Sequence, residues 1–208
     1  MASEGASPLV SIRVAGSSDI EAIQRCRFDV YTEMGYIDPD NFPDGRESDS
    51  FDIYSKSIIA TTSTGISAIG TTRLVLGAKG TLPIESKHCH NIDVSSYGKS
   101  AEISRLCVRK PFRNSHISLG MYRVLFHIVD IEKIDTVFAV VDESFFRTIV
   151  WIGFPFKQIG QPKNFMGLTI PTVCAIKDVM PALIESENAN MLGVTQLFKQ
   201  KFSGSLLM

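Results

Sequence analysis

Three ionisable side chains interrupt stretches that otherwise read as buried β-strand: Arg73 in TTRLVL, and Glu102 and Arg105 in AEISRLCV. An unpaired charge inside an apolar layer is costly, so a fold that accepts these strands must supply counter-charges or put the groups to chemical use. Strict alternation along AEISRLCV sets Glu102 and Ser104 on one face and Ile103 and Arg105 on the other, an assignment that a bulge would change. The acidic run Glu47-Ser48-Asp49-Ser50-Phe51-Asp52 offers partners for the arginines, although a bare charge run is ordinarily a solvated face. Arg27, on the apolar stripe of a helical segment, is a further candidate for the same network. The plainer alternative is a salt-bridged framework without chemistry.

The segments around these strands define an order of elements. Residues 10–14 alternate and open a sheet. Ser18 and Glu21 have capping-box spacing, and residues 19–34 read as a helix with Ile20, Ile23, Val30, Tyr31 and Met34 on one face. A loop rich in Asp, Pro and Gly covers 35–50. Strands at 57–61 and 68–76 flank a turn at Thr64-Gly65, and the connection 77–100 has no clear period. A strand over 101–108 is closed by Pro111, and a helix follows over 115–131. The run VFAVV within 136–141 suits a fully buried strand, and a helix over 143–152 leads into Gly153-Phe154. Strands at 156–160 and 169–176 and a helical tail over 178–208 complete the chain, after a flexible start over 1–9. This order predicts a single domain over residues 1–208, a mixed α/β sheet with helices on both faces. Ligands of such sheets commonly sit where neighbouring strands diverge or at a helix N-terminus.

Composition and missing motifs remove several classes. A formal net charge of -1 gives no basic field for nucleic acid. Cys26, Cys89, Cys107 and Cys174 form no C-x-x-C pair and read as buried, reduced thiols of a cytoplasmic protein. The start MASEGASP lacks the basic-then-apolar pattern of a signal peptide, and no run is long enough to be a membrane span. There is no G-x-S-x-G, G-x-G-x-x-G or Walker lysine, which argues against a serine hydrolase, a Rossmann dehydrogenase and a P-loop enzyme. Lys87-His88-Cys89-His90 turns two imidazoles the same way in an extended chain, but a metal would need a third ligand from elsewhere, and none is expected.

Four segments in one order carry a resemblance. R-F-D-V-Y-T-E-M-G-Y from Arg27 is similar to the first helix of acyl-homoserine-lactone synthases and of N-acyl amino acid synthases. E-S-D-S-F-D, I-G-T-T-R-L-V and A-E-I-S-R-L-C-V follow at similar distances, and W-I-G-F-P-F-K-Q-I-G-Q-P and G-L-T-I-P also resemble these families and the related exosortase-associated acyltransferases. The resemblance spans roughly residues 20 to 180. It implies a GNAT-like fold, with a mostly antiparallel central sheet, and transfer of a fatty acyl chain from a thioester to an amine. By position, Arg27, Asp49, Asp52, Arg73, Glu102 and Arg105 match polar residues that those families keep around the site.

Under that reading Glu102 takes the proton of the attacking ammonium. A backbone donor near Cys107 or Val108 stabilises the developing oxyanion. Arg73 and Arg105 fix the acidic network and orient an acceptor carboxylate, with Arg27, Tyr36, Asp49, Asp52 and Ser104 as further substrate-binding candidates. Tyr36 stands where homoserine-lactone synthases usually carry Trp, which tilts the acceptor towards an amino acid and away from S-adenosylmethionine. The segment from Arg113 to Gly120, R-N-S-H-I-S-L-G, keeps one glycine where acetyl-CoA enzymes have a Gly-rich pyrophosphate loop. An acyl-phosphopantetheine thioester on acyl carrier protein, with its single phosphate, asks less of this loop. Arg109, Lys110 and Arg113 form a basic cluster for that acidic carrier, or else a solvated strand end. No bound cofactor is implied. The expected activity is long-chain acyl transfer from acyl carrier protein or acyl-CoA to an amino acid. An acyl-homoserine-lactone synthase, or a GNAT-like domain that binds an acyl ligand without turnover, is the alternative.

Overall fold

The computed structural model describes residues 9–62, 67–113, 116–200 and 205–207. The expected turn at Thr64-Gly65 and most of the expected flexible start lie outside them. In chain order the elements are β1 (Val10–Val14), α1 (Ile20–Glu33), β2 (Ser55–Thr62), β3 (Ala68–Leu76), β4 (Ser100–Val108), α2 (Ile117–Ile131), β5 (Thr136–Asp142) and α3 (Glu143–Ile152). They continue with β6 (Lys157–Gln158), β7 (Lys163–Asn164), β8 (Leu168–Ala175), α4 (Ile176–Glu185), α5 (Glu187–Met191), α6 (Val194–Lys199) and β9 (Ser205–Leu207). One sheet takes the order β6-β8-β5-β4-β3-β2-β1-β9, with β7 also on β8. All its pairs are antiparallel except β4 with β5. The fold is the GNAT-like mixed α/β arrangement that the sequence predicts.

Several boundaries differ from expectation for physical reasons. The start of α1 is not closed by Ser18 and Glu21; Asp19 instead accepts the Gly16 amide at 2.7 Å while Arg13 grips its carboxylate at 2.6 Å. The buried stripe of α1 is Ile23, Cys26, Arg27, Val30 and Tyr31, the i, i+3, i+4, i+7, i+8 set, and both Ile20 and Met34 are exposed. The expected strand 156–160 shrinks to two residues, and β7 forms where none was expected. The tail is helical through α4 to α6, but its end joins the sheet, as β9 pairs with the edge strand β1.

Helix α1 covers one face of the sheet, and α2 packs the other. β3 is buried along its whole length, with Leu74 and Leu76 in the α2-side core and Val75 in a second core under the turn Pro83–Glu85. The parallel ladder of β4 and β5 runs only from Ser100–Thr136 to Ile103–Ala139. Beyond it the two strands separate, which opens the sheet in its middle.

Candidate active site

The acidic run folds as a capped 3-10 turn, and the cap aims its carboxylates inward. Asp49 accepts the Phe51 amide at 2.9 Å, and Asp52 accepts the Asp49 amide at 3.2 Å. The Glu47 amide donates to Gln24 O at 3.1 Å, which ties this segment to α1. Across from it, β3 presents Arg73, wholly buried, whose three nitrogens are all engaged. Nε donates to Ser104 Oγ at 2.9 Å, Nη1 to Asp49 at 2.6 Å and Asp52 at 2.7 Å, and Nη2 to Asp49 at 2.7 Å. Arg27 reaches Asp52 at 2.8 Å and lies 3.8 Å from Glu47. Arg105 reaches Glu47 at 2.8 Å and Asp49 at 2.9 Å. Arg27, Arg73 and Arg105 thus face Glu47, Asp49 and Asp52, an arrangement that balances formal charge and so tolerates burial. Burial alone would push the Asp49 and Asp52 carboxyls up, but the arginines more than offset it and hold both below the usual range.

Simple alternation misplaces Arg105. On β3 only Thr72 lies between Thr71 and Arg73, whereas their partners Cys107 and Ser104 on β4 are separated by Arg105 and Leu106. The extra residue is a β-bulge, and Arg105 takes a left-handed conformation with φ of 55°. Arg105 therefore stands on the same side as Glu102 and Ser104, while Leu106 packs against the α2-side core and Cys107 joins the cluster under α1. The bulge unites what a flat strand would divide.

Glu102 sits apart from the ion network. It is buried under the turn Pro83–Glu85, and its Oε2 accepts the Ile84 amide at 2.7 Å. Burial pushes its carboxyl up to about 8, and that amide, with the Arg73 and Arg105 charges, only partly counters the effect. The separated strands enclose a cavity of about 490 Å³ that has Glu102, Ser104, Arg105, Arg73, Asp49 and Tyr36 in its wall. Its other end is apolar, formed by Leu106, Val141, Tyr122 and Phe145. The tip of the β7–β8 hairpin, Phe165, Met166 and Gly167, also lines it, and Met166 Sδ lies 3.7 Å from Arg105 Nη1.

Not every candidate reaches this cavity. Arg27 and Asp52 support it from behind through the ion network. Cys107 and Val108 pair with Thr71 and Gly70 of β3, and the cavity wall on β4 ends at Leu106. Arg109 and Arg113 are engaged by α1, with Asp29 at 2.7 Å and Glu33 at 3.2 Å, and Lys110 lies 4.0 Å from Glu33. Two carboxylates therefore face the three cations of this cluster. Gly120 is buried in the first turn of α2, and Asn114 and Ser115 before it lie outside the described residues. His88 and Cys89 line the cavity, His90 contacts Thr169 at 3.2 Å, and no three His, Cys, Asp or Glu side chains among the described residues converge as a metal site.

Sequence reasoning missed three contributors. Glu47, almost fully buried, was visible in the acidic run, but the run gives no sign that its first carboxylate meets Arg105. The Ile84 amide is a backbone donor from an aperiodic connection and leaves no side-chain signal. Tyr31 follows Arg27 on the helical stripe and reads there as ordinary core, yet it lines the cavity, and Arg105 lies 5.8 Å from its ring centre.

Comparison with known proteins bears on the fold and the family. Sequence comparison with curated proteins gives no match. Among solved structures the chain is similar to FeeM, an N-acyl amino acid synthase from uncultured soil microbes, at TM-score 0.70 and 16% identity, covering 89% of this chain and 99% of that one. It is similar to the CoA-dependent acyl-homoserine lactone synthase BjaI at TM-score 0.66 and 18% identity, covering 88% of each. A GNAT-family acetyltransferase from Staphylococcus aureus Mu50 superimposes at TM-score 0.54 and 14% identity, covering 80% and 99%. At such identities these likenesses show the fold alone. The family model for N-acyl amino acid synthase FeeM matches residues 22–177, a span that includes the ion network, Glu102 and the separated strands, and on that match the chain belongs to the FeeM family of N-acyltransferases.

Proposed function

We propose that this enzyme moves a long-chain fatty acyl group from an acyl-phosphopantetheine thioester, carried by acyl carrier protein, to the amine of an amino acid in the cytoplasm. The observation that carries the proposal is Glu102, a buried carboxyl raised to about 8 in the wall of a cavity that is polar at one end and apolar at the other. Such a group gives up its own proton around pH 8 and is then basic enough to take one from an ammonium. The deprotonated amine then attacks the thioester carbonyl, and the thiol leaves.

Arg105 suits the acceptor carboxylate. Its Nε and Nη2 are committed to Glu47 and Asp49, whereas among the described residues Nη1 meets only the weak acceptor Met166 Sδ. Arg73 has no nitrogen to spare, so its role is to hold Asp49, Asp52 and Ser104 in place. The thioester carbonyl is assigned to the stretch where β4 has parted from β5, whose ladder stops at Ile103, and amide donors there would receive the oxyanion. The acyl chain then runs towards Leu106, Tyr122 and Phe145. Arg109 and Arg113 remain the docking candidates for an acidic carrier, with Asp29 and Glu33 as competitors that the carrier must displace.

The test is the purified protein with palmitoyl-acyl carrier protein and a mixture of amino acids, read by mass spectrometry. An N-acyl amino acid is the expected product. A homoserine lactone formed only when S-adenosylmethionine is added would overturn the acceptor assignment. No acyl product from folded protein would overturn the whole reading.

A further inference from the structure

Tyr122 is a polar group in the apolar end of the cavity. It arises from α2, lines the cavity beside Leu106 and Phe145, and is only 5% exposed. Its ring stacks on Phe145 with centres 6.3 Å apart and lies 6.1 Å from Phe154. The hydroxyl makes no hydrogen bond to the described residues and is not among the atoms sealed away from the surface, so it opens on the cavity. Burial with no compensating group pushes its ionisation up, so it stays a neutral hydroxyl that can both donate and accept. A hydroxyl that opens on a cavity is left unpaired once a plain hydrocarbon chain fills the space beside it, a cost that a phenylalanine of the same shape would not carry. A phenylalanine would serve a plain hydrocarbon chain better.

We propose that the acyl chain itself carries the partner, an oxygen substituent such as a hydroxyl or keto group, which Tyr122 hydrogen-bonds in the cavity. The inference rests on the acyl-transfer reading and deepens it, since it assigns the donor to oxygenated rather than plain fatty acyl thioesters. Tyr122 is a specificity residue in this scheme. It takes no part in proton transfer, because Glu102 lies on the opposite face of the sheet from the core that Tyr122 belongs to. Discrimination follows from a site built to hydrogen-bond: a chain lacking the oxygen leaves the tyrosine unpaired.

The test uses lauroyl-acyl carrier protein and a series of hydroxylauroyl and ketolauroyl thioesters in which the oxygen is moved along the chain. For the wild type, kcat/KM at one position is expected to exceed that of the plain chain by about tenfold, the range of one buried hydrogen bond. Tyr122→Phe is expected to abolish that preference, so that kcat/KM on the oxygenated and plain chains becomes equal within about twofold. A wild type that favours no oxygenated position, or a Tyr122→Phe variant that keeps the preference, overturns the proposal. Calorimetric binding of the free hydroxy and plain fatty acids to the wild type, with no turnover required, separates this outcome from failure of the acyl-transfer reading. A binding preference without turnover sustains the role of Tyr122, and equal binding of all the acids removes it even if plain chains are transferred.

Discussion

Replacing Glu102 with Gln changes one proton-accepting atom and little else, so its consequences can be worked out from the structure. The Gln carbonyl oxygen can still accept the Ile84 amide, and the side chain remains uncharged in a buried site. Loss of the base is expected to lower kcat by about 100-fold to 10,000-fold, the usual contribution of a positioned base. Stability should move the other way. In the wild type the carboxyl ionises near 8 when folded and near 4.5 when unfolded, so between these values only the folded state holds the proton. Its contribution is therefore fully present below pH 4.5 and lost as pH rises to about 8, at about 1.4 kcal/mol per pH unit, a few kcal/mol altogether. Gln has no such slope. Urea unfolding followed by circular dichroism at acid, neutral and alkaline pH, for both proteins, reads this directly. The variant should match the wild type in acid and exceed it in alkali. Parallel pH curves for the two proteins would mean that Glu102 is not held neutral by burial, and turnover within threefold of the wild type would remove it as the base.

Other outcomes follow from the same geometry. Wild-type activity should rise with pH and reach half its maximum near 8, a midpoint that disappears in the residual activity of Glu102→Gln. Asp49 and Asp52, held low by the arginines, contribute stability that is present above the ordinary carboxylate value of 3.8 and lost as pH falls through their lower folded values, so acid unfolding should begin only below that point. Arg73→Met leaves Asp49 and Asp52 without their shared partner, and urea titration should find a loss of about 3–5 kcal/mol. Arg105→Lys retains a charge but loses the planar fork; KM for the acceptor should rise about tenfold, with a smaller change in kcat. Gly153→Ala adds a methyl group 2.4 Å from Ser186 Cβ at a residue with φ of 115°, and should lower stability by about 1–3 kcal/mol without altering KM for the acceptor.

Much of the site was legible because buried charge must be answered. Arg73 in TTRLVL and Arg105 in AEISRLCV demanded carboxylates, and the nearest acidic run supplied them. The side of the sheet on which Arg105 stands was not legible. A bulge with a non-glycine residue at positive φ carries no Gly, Asn or Pro marker, and alternation is then wrong by one residue from that point on. The connection 77–100 illustrates a second limit. It lacks periodicity because it supplies single turns rather than a face, and the hydrogen bond it gives Glu102, from a backbone amide, is the same for any residue except proline. Tyr122 shows a third: on α2 it reads as one more core aromatic, and only the parting of β4 and β5 exposes it to a cavity.

That parting also has a bearing on how such an enzyme can change. The opening arises from backbone divergence after Ile103 and Ala139, not from small side chains carved out of the core. The charged groups proposed to handle the amine lie on one side of the sheet, on β3, on β4 and in the capped turn, whereas Leu106, Tyr122 and Phe145 belong to the layer on the other side. Substitutions at the latter three positions can lengthen, shorten or re-polarise the space for the chain without touching an arginine or its carboxylate. On the proposed assignment, donor preference can therefore drift by single mutations while the transfer chemistry stays fixed, a separation that favours diversification of products from one scaffold.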